Sequence, residues 1–310
     1  MSESLASLVY SWENGASRLE RKGLMEVDQL IARLAKGGRT QELTTGERAV
    51  GSNRIFRMWT ENQTRIMKVY GTPARERRER HSLTALRGIS GIPKVLDRGA
   101  EGDSHWAIFE DAGSWNLATL PENPGLTRTA GEILRQVHES EMSTISNLTR
   151  GIDQEWVTVD FVSTFRRVER YRGRLGLSEE LLEAARSVRP PFASEPRVAH
   201  TNPAPDNFLV DDRGNVTLIN WEWATLAPVE WDLSKALWLL SLRSGTTASA
   251  GLAEGYGAEL DPAQLDRWTV YHAGMMLVYE AENRIKGRLD DLNYLVDELQ
   301  RAITGSRAPA

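Results

Sequence analysis

Residues 199–224 read AHTNPAPDNFLVDDRGNVTLINWEWA. Two short apolar runs, Phe208-Leu209-Val210 and Val216-Thr217-Leu218-Ile219, flank Asp211-Asp212-Arg213-Gly214-Asn215. Asp, Gly and Asn at that centre are turn formers, so the stretch predicts a β-hairpin. A polar loop, His200 to Asn207, leads in, and a second polar site, Asn220 to Glu222, leads out. The hairpin would hold the two polar sites side by side.

The pattern His200-x-Asn202-x-x-x-x-Asn207, followed by Ile219-Asn220-Trp221-Glu222, resembles the catalytic hairpin of aminoglycoside phosphotransferases and related choline- and protein-kinase-like enzymes. Family members usually carry H-x-D-x-x-x-x-N and then an I-D-W-E-type metal site. The spacing matches, but the family's catalytic aspartate falls on Asn202 and its metal-binding aspartate on Asn220. The resemblance implies an α+β, bilobal protein-kinase-like fold, with a small antiparallel-sheet N-lobe and a larger, mostly helical C-lobe. It also implies ATP or another nucleoside triphosphate and Mg2+ as cofactors, both weakened or lost here.

Replacing both carboxylates with amides has a direct physical consequence. In kinase-type transfer one Asp accepts the substrate proton, while a second Asp and an Asn hold magnesium. An amide is no useful base near neutral pH, and losing a general base costs ~10²–10⁴ in rate, about 3–5 kcal/mol of barrier. Magnesium prefers carboxylates alongside phosphate oxygens; Asn207 and Asn220 would hold it only weakly. Asp206 and Glu222 are nearby acids, neither at the family's own position. His200 matches a family histidine that braces the loop.

The 310 residues suffice for one large domain or two lobes. A net charge of −5 with no basic block argues against a general nucleic-acid binder. The absence of cysteine excludes disulfides and thiolate chemistry. The start lacks a signal-peptide pattern, and no apolar run reaches membrane-spanning length, so the expectation is a cytoplasmic protein without a membrane partner. Arg outnumbers Lys heavily, as in proteins of GC-rich bacteria.

The expected organisation is an N-terminal helical segment over 1–40, an N-lobe over 41–112 and a C-lobe over 113–310 with a helical insertion at 141–192. Leu24, Val27, Leu30, Ile31 and Leu34 recur at helical spacing before Gly37-Gly38. A strand pattern is expected from Gln41 to Tyr70, with runs at 54–59 and 65–70, and further strands at 92–96 and 105–110. Alternation places Ile66, Lys68 and Tyr70 on one face. By the resemblance, Gly51 and Ser52 lie in the loop over the nucleotide phosphates. Lys68 is the phosphate-pairing strand lysine, and Glu79 (or Glu76) is its helix partner. Glu110 opens a hinge, Glu110 to Gly113, that holds adenine by main-chain groups. His138 reads as a packed helix histidine. In the insertion, Arg166, Arg167, Arg170, Arg172 and Arg174 read as a solvated face or as a site for an acidic substrate, a peptide or a partner. Asp232 would cap its helix or brace the loop. Trp221, Trp223, Trp231 and Trp238 read as packing below the hairpin.

Two functions follow. In the first, the chain is a pseudokinase-type binding or scaffold subunit for a protein or peptide partner, as in peptide natural-product modification. In the second, it is an active ATP-dependent phosphotransferase acting on a small-molecule or peptide hydroxyl.

Overall fold

The computed structural model describes residues 19–35, 37–44, 52–60, 63–120, 122–140, 151–258, 260–283 and 292–306. Gly51 and the first 18 residues of the expected N-terminal helix lie outside them. Helix α1 (Leu19–Leu34) lies on a five-stranded antiparallel sheet of β1 (Arg39–Glu42), β2 (Arg54–Trp59), β3 (Thr64–Tyr70), β4 (Val95–Glu101) and β5 (Ser104–Glu110), in the order β1-β2-β3-β5-β4. Period-two alternation divides β3 as expected. Met67 and Val69 join Phe56, Met58, Trp106 and Ile108 under Val27, Leu30 and Ile31 of α1. Ile66 and Tyr70 face the opposite way, into the core shared with the second lobe.

Helix α2 (Pro73–Ala85) begins where Thr72 accepts the Arg75 N–H and Pro73 needs no partner. Two strand expectations are corrected. Residues Ile92 to Lys94 are not strand; β4 begins at Val95, after Pro93, whose ring offers no ladder N–H. The strand region expected from Gln41 begins two residues earlier, at Arg39, inside the expected helical segment, and forms the edge strand Arg39–Glu42.

The chain crosses between lobes at Gly113. Its φ is +109°, and a Cβ there would stand 2.2 Å from the Val210 carbonyl oxygen, so only glycine fits without movement. Beyond it come β6 (Trp115–Asn116) and the helices α3 (Pro124–His138), α4 (Gln154–Leu175) and α5 (Glu179–Arg186). Asn123, Asp153 and Ser178 cap them in turn. β7 (Arg197–Ala199) leads to the hairpin, β8 (Phe208–Val210) and β9 (Val216–Leu218), and β10 (Thr225–Ala227) pairs back with β7. Four helices close the lobe: α6 (Val229–Ser244), α7 (Thr246–Tyr256), α8 (Pro262–Asn283) and α9 (Asn293–Ser306). Among the described residues no helix is long and apolar enough to cross a membrane.

The hairpin turn is built by Asp211. Its carboxylate accepts the Arg213 and Asn215 N–H groups, both at 2.9 Å, and the Asn215 side chain at 2.8 Å. These bonds, those from Asn215 foremost, hold its pKa below the usual carboxylate value. Phe208 and Leu218 are wholly buried between the lobes' shared core and the loop, which fixes the register and therefore the placement of both polar sites.

Candidate active site

The loop after β7 hangs on one buried carboxylate. Asp232, in the first turn of α6, accepts the His200 N–H at 2.6 Å and the Thr201 N–H at 2.7 Å. It also meets His138 Nε2 at 3.2 Å, whose other nitrogen meets the Tyr256 hydroxyl. Of the two expected roles for Asp232 the bracing one holds. The N-cap of α6 is Pro228, so Asp232 does not cap the helix.

His200 is fully buried, and burial pushes its pKa below the ordinary histidine value, so the ring is neutral. Its Nε2–H donates to the Ile219 carbonyl at 2.7 Å, and its Nδ1 accepts the Asn202 N–H at 3.2 Å. One imidazole thus ties the incoming loop to the end of the hairpin, with Trp221 edge-on at 4.7 Å. Among the described residues Thr201 and Asn220 are the non-glycine residues with positive φ, +66° and +68°. Asn tolerates this region; a β-branched Thr is held there at a cost of ~1–3 kcal/mol. Besides a long contact at 3.5 Å from Lys235 Nζ to its carbonyl, three shorter bonds restrain Thr201. These are the bond to Asp232, its hydroxyl to the Trp223 carbonyl at 3.0 Å, and its own carbonyl to Trp231 Nε1 at 3.1 Å.

Across the cleft, Lys68 of β3 reaches Glu79 of α2 at 3.0 Å and Glu222 at 2.7 Å, all three side chains buried. Burial opposes the Lys68 charge, but the Glu222 and Glu79 carboxylates outweigh it and raise its pKa. The two acids divide. Burial raises the Glu79 pKa despite Lys68. For Glu222, burial is overcome by the Lys68 charge and the pKa falls. Glu222 is thus the more readily ionised of the two acids.

Asn220 links this cluster to the loop. Its oxygen faces Lys68 Nζ at 3.3 Å, and its N–H donates to Asn207 Oδ1 at 2.8 Å. Asn207 in turn donates to the Asn202 carbonyl at 2.8 Å. The amide orientations follow from the ends of the chain, since an ammonium can only donate and a carbonyl can only accept.

The donor set does not fit magnesium. The oxygens of Asn207 and Asn220 both face N–H donors, and Glu222 is taken on one oxygen by Lys68 and on the other by Asn53 at 2.7 Å. Among the described residues no three His, Cys, Asp or Glu side chains gather as metal ligands.

The structure therefore brings Lys68, Glu79, Asn207 and Asn220 together, with the Asn202 backbone beside them. Among the described residues the half-buried Asn202 side-chain amide makes no hydrogen bond. Glu76 pairs with Arg80, not with Lys68. Asp206 is exposed and pairs with Arg243. The Glu110 side chain is exposed and pairs with Lys94 at 2.6 Å, and its main-chain N–H donates to the Lys94 carbonyl at 3.0 Å. Two residues make contacts that the sequence did not foreshadow, Trp223 reading only as packing below the hairpin. Asn53 bridges Glu222 and the Gly71 N–H. Trp223 is half-buried, with Arg75 and Arg78 over its ring.

The sequence matches the model of the phosphotransferase enzyme family (APH) over residues 48–268. No curated protein matches it. Among solved structures it is similar to spectinomycin phosphotransferase APH(9)-Ia in complex with ADP and spectinomycin, with TM-score 0.60, 15% identity, and coverage of 90% of this chain and 97% of that one. It is also similar to a thermostable mutant of aminoglycoside phosphotransferase APH(4)-Ia in a ternary complex with ADP and hygromycin B, with TM-score 0.64, 15% identity and coverage of 92% and 100%. The GDP complex of aminoglycoside 2'-phosphotransferase-IIIa gives TM-score 0.69, 14% identity and coverage of 92% and 99%. At these identities the likeness is one of fold.

Proposed function

The chain belongs to the phosphotransferase enzyme family, and within it we propose a pseudokinase-type protein that binds rather than transfers. The observation carrying this reading is the pair of amides at 202 and 220, with Asn220 bonded directly to Asn207. A proton acceptor and a charged metal ligand are both missing from the positions where this family's chemistry uses them. The Lys68–Glu79 pair is intact and supports binding of a nucleoside triphosphate in the cleft. The rest of the surface would then serve as a scaffold for a protein or peptide partner. Peptide natural-product modification is one setting for such a subunit.

A second reading is an active ATP-dependent phosphotransferase acting on a small-molecule or peptide hydroxyl. It is favoured by the similar structures solved with ADP and an aminoglycoside, and by the anionic Glu222 beside Lys68. Loose phosphoryl transfer relies on positioning and electrostatics as well as on a base. In this reading Asn202 orients the acceptor hydroxyl and Lys68 grips phosphate. The separating experiment is nucleotide titration with and without magnesium, alongside turnover of the unmodified chain and of the Asn202→Asp/Asn220→Asp variant. Binding without turnover supports the first reading, and turnover at kinase rates supports the second.

A further inference from the structure

Helix α2 turns three side chains toward the short helical turn Trp221–Trp223: Arg75, Arg78 and Glu79, spaced i, i+3, i+4. Glu79 accepts the Trp221 N–H at 2.9 Å. The two arginines lie over the Trp223 indole, their guanidinium carbons 4.9 and 5.1 Å from the ring centre. A guanidinium held over an aromatic face in this way keeps N–H groups free to bond elsewhere.

Every carboxylate nearby is already engaged. Glu76 pairs with Arg80, Glu79 with Lys68, and Glu222 with Lys68 and Asn53. Among the described residues neither Arg75 nor Arg78 has an ion-pair partner or donates a side-chain hydrogen bond to an oxygen. Yet both are half-buried. Burial, with Arg75 and Arg77 close by, presses the Arg78 pKa below the ordinary arginine value. Glu222 acts on both cations at longer range but bonds to neither, and a doubly charged oxyanion would supply the direct partner they lack.

We infer that Arg75, Arg78 and Trp223 form an anion site, adjoining the Lys68 cluster, that takes a phosphate-bearing ligand without a metal ion. The inference deepens the binding reading by naming a ligand class, and rests on it. Paired guanidiniums match a phosphate dianion in charge and in their bidentate fork. They supply positive charge beside a cleft whose metal-ligand position has become an amide.

The test is calorimetric titration of the full chain with pyrophosphate, O-phosphoserine and ATP, each in EDTA, against the Arg75→Gln/Arg78→Gln variant. The expected result is binding of at least one ligand by the unmodified protein and a loss of about tenfold or more in the variant. A loss confined to ATP assigns the site to the nucleotide's terminal phosphate. A loss for O-phosphoserine with ATP unaltered assigns it to a phosphorylated acceptor or product. The Arg75→Lys/Arg78→Lys variant keeps the charge but not the fork, and should lose affinity to an intermediate degree; it stands in if the Gln variant does not fold. No binding by the unmodified chain, or equal affinities in both proteins for all three ligands, overturns the site. Turnover, measured separately, tests the binding reading itself.

Discussion

The Asn220 amide N–H donates to the Asn207 amide oxygen at 2.8 Å, while Lys68 faces the Asn220 oxygen at 3.3 Å; these are the two oxygens that the fold would offer to a metal. The bond between the amides exists because residue 220 is an amide. A carboxylate there would have no proton to give. The exchange of charge for a hydrogen-bond donor is thus a change of partner as well as of electrostatics.

Asn220→Asp should convert the site. Two acceptors would then face each other unless a cation lies between them, so magnesium should raise the variant's nucleotide affinity by at least ~10-fold, about 1.4 kcal/mol. The unmodified protein should show less than about a twofold difference between magnesium and EDTA, because its oxygens already face N–H donors. Calorimetric titration in the two buffers measures both.

Lys68 and Glu79 should differ in what their removal costs. Lys68→Met leaves Glu79 and Glu222 buried together without a cation, and should destabilise by about 3–5 kcal/mol. Glu79→Gln keeps a polar group near Lys68 and leaves Glu222 as the counter-ion, so a loss of about 1 kcal/mol is expected. Urea unfolding of the two variants gives the comparison, and equal losses would contradict the division of charge between the two acids.

Asp232→Ala should strip the loop of its support. The His200 and Thr201 N–H groups would be buried without acceptors, at about 1–3 kcal/mol each. Asp232→Asn keeps one acceptor oxygen and should lose roughly half as much. The readouts are the urea midpoint and amide exchange at 200 and 201.

Stability should rise with pH in two windows. Burial lowers the pKa of His200 and, more strongly, of His272. Below the unfolded value of about 6.5 the unfolded chain binds more protons, so their contribution is whole above that pH and lost on acidification. Burial also lowers Lys235 to about 8. Between that value and the unfolded value of about 10.4 the unfolded state again holds more protons, so stability climbs, by up to about 3 kcal/mol. Lys68 is raised and acts with the opposite sign only at still higher pH. Urea midpoints across pH should show the upper slope flattened in Lys235→Met.

Much of this arrangement could be read from the chain. The hairpin was legible because Asp211, Gly214 and Asn215 have turn chemistry between apolar runs. The Lys68–Glu79 pair was legible through the family resemblance, with alternation on β3 and helical spacing on α2 in agreement and Glu76 as the alternative. The start of the edge strand at Arg39 was not, since a four-residue polar edge needs no apolar face. Helix α7 lacked a signal for a different reason. It is rich in Ala and Gly and packs by close approach; a Cβ at Gly255 would stand 1.9 Å from the Arg128 carbonyl oxygen. Such contacts leave no amphipathic stripe. Glu222 was visible as an acid, but its place on Lys68 depends on the left-handed turn at Asn220, which periodicity does not encode.

The most direct test of the amide-centred account is the rate of γ-phosphate loss from ATP in magnesium, with water and with a panel of aminoglycoside and peptide hydroxyls as acceptors. The account predicts background turnover by the unmodified protein and a gain of ~10² or more in Asn202→Asp/Asn220→Asp, the scale of a restored general base. Turnover by the unmodified chain at roughly 1–100 s⁻¹, the range of working kinases, would contradict it.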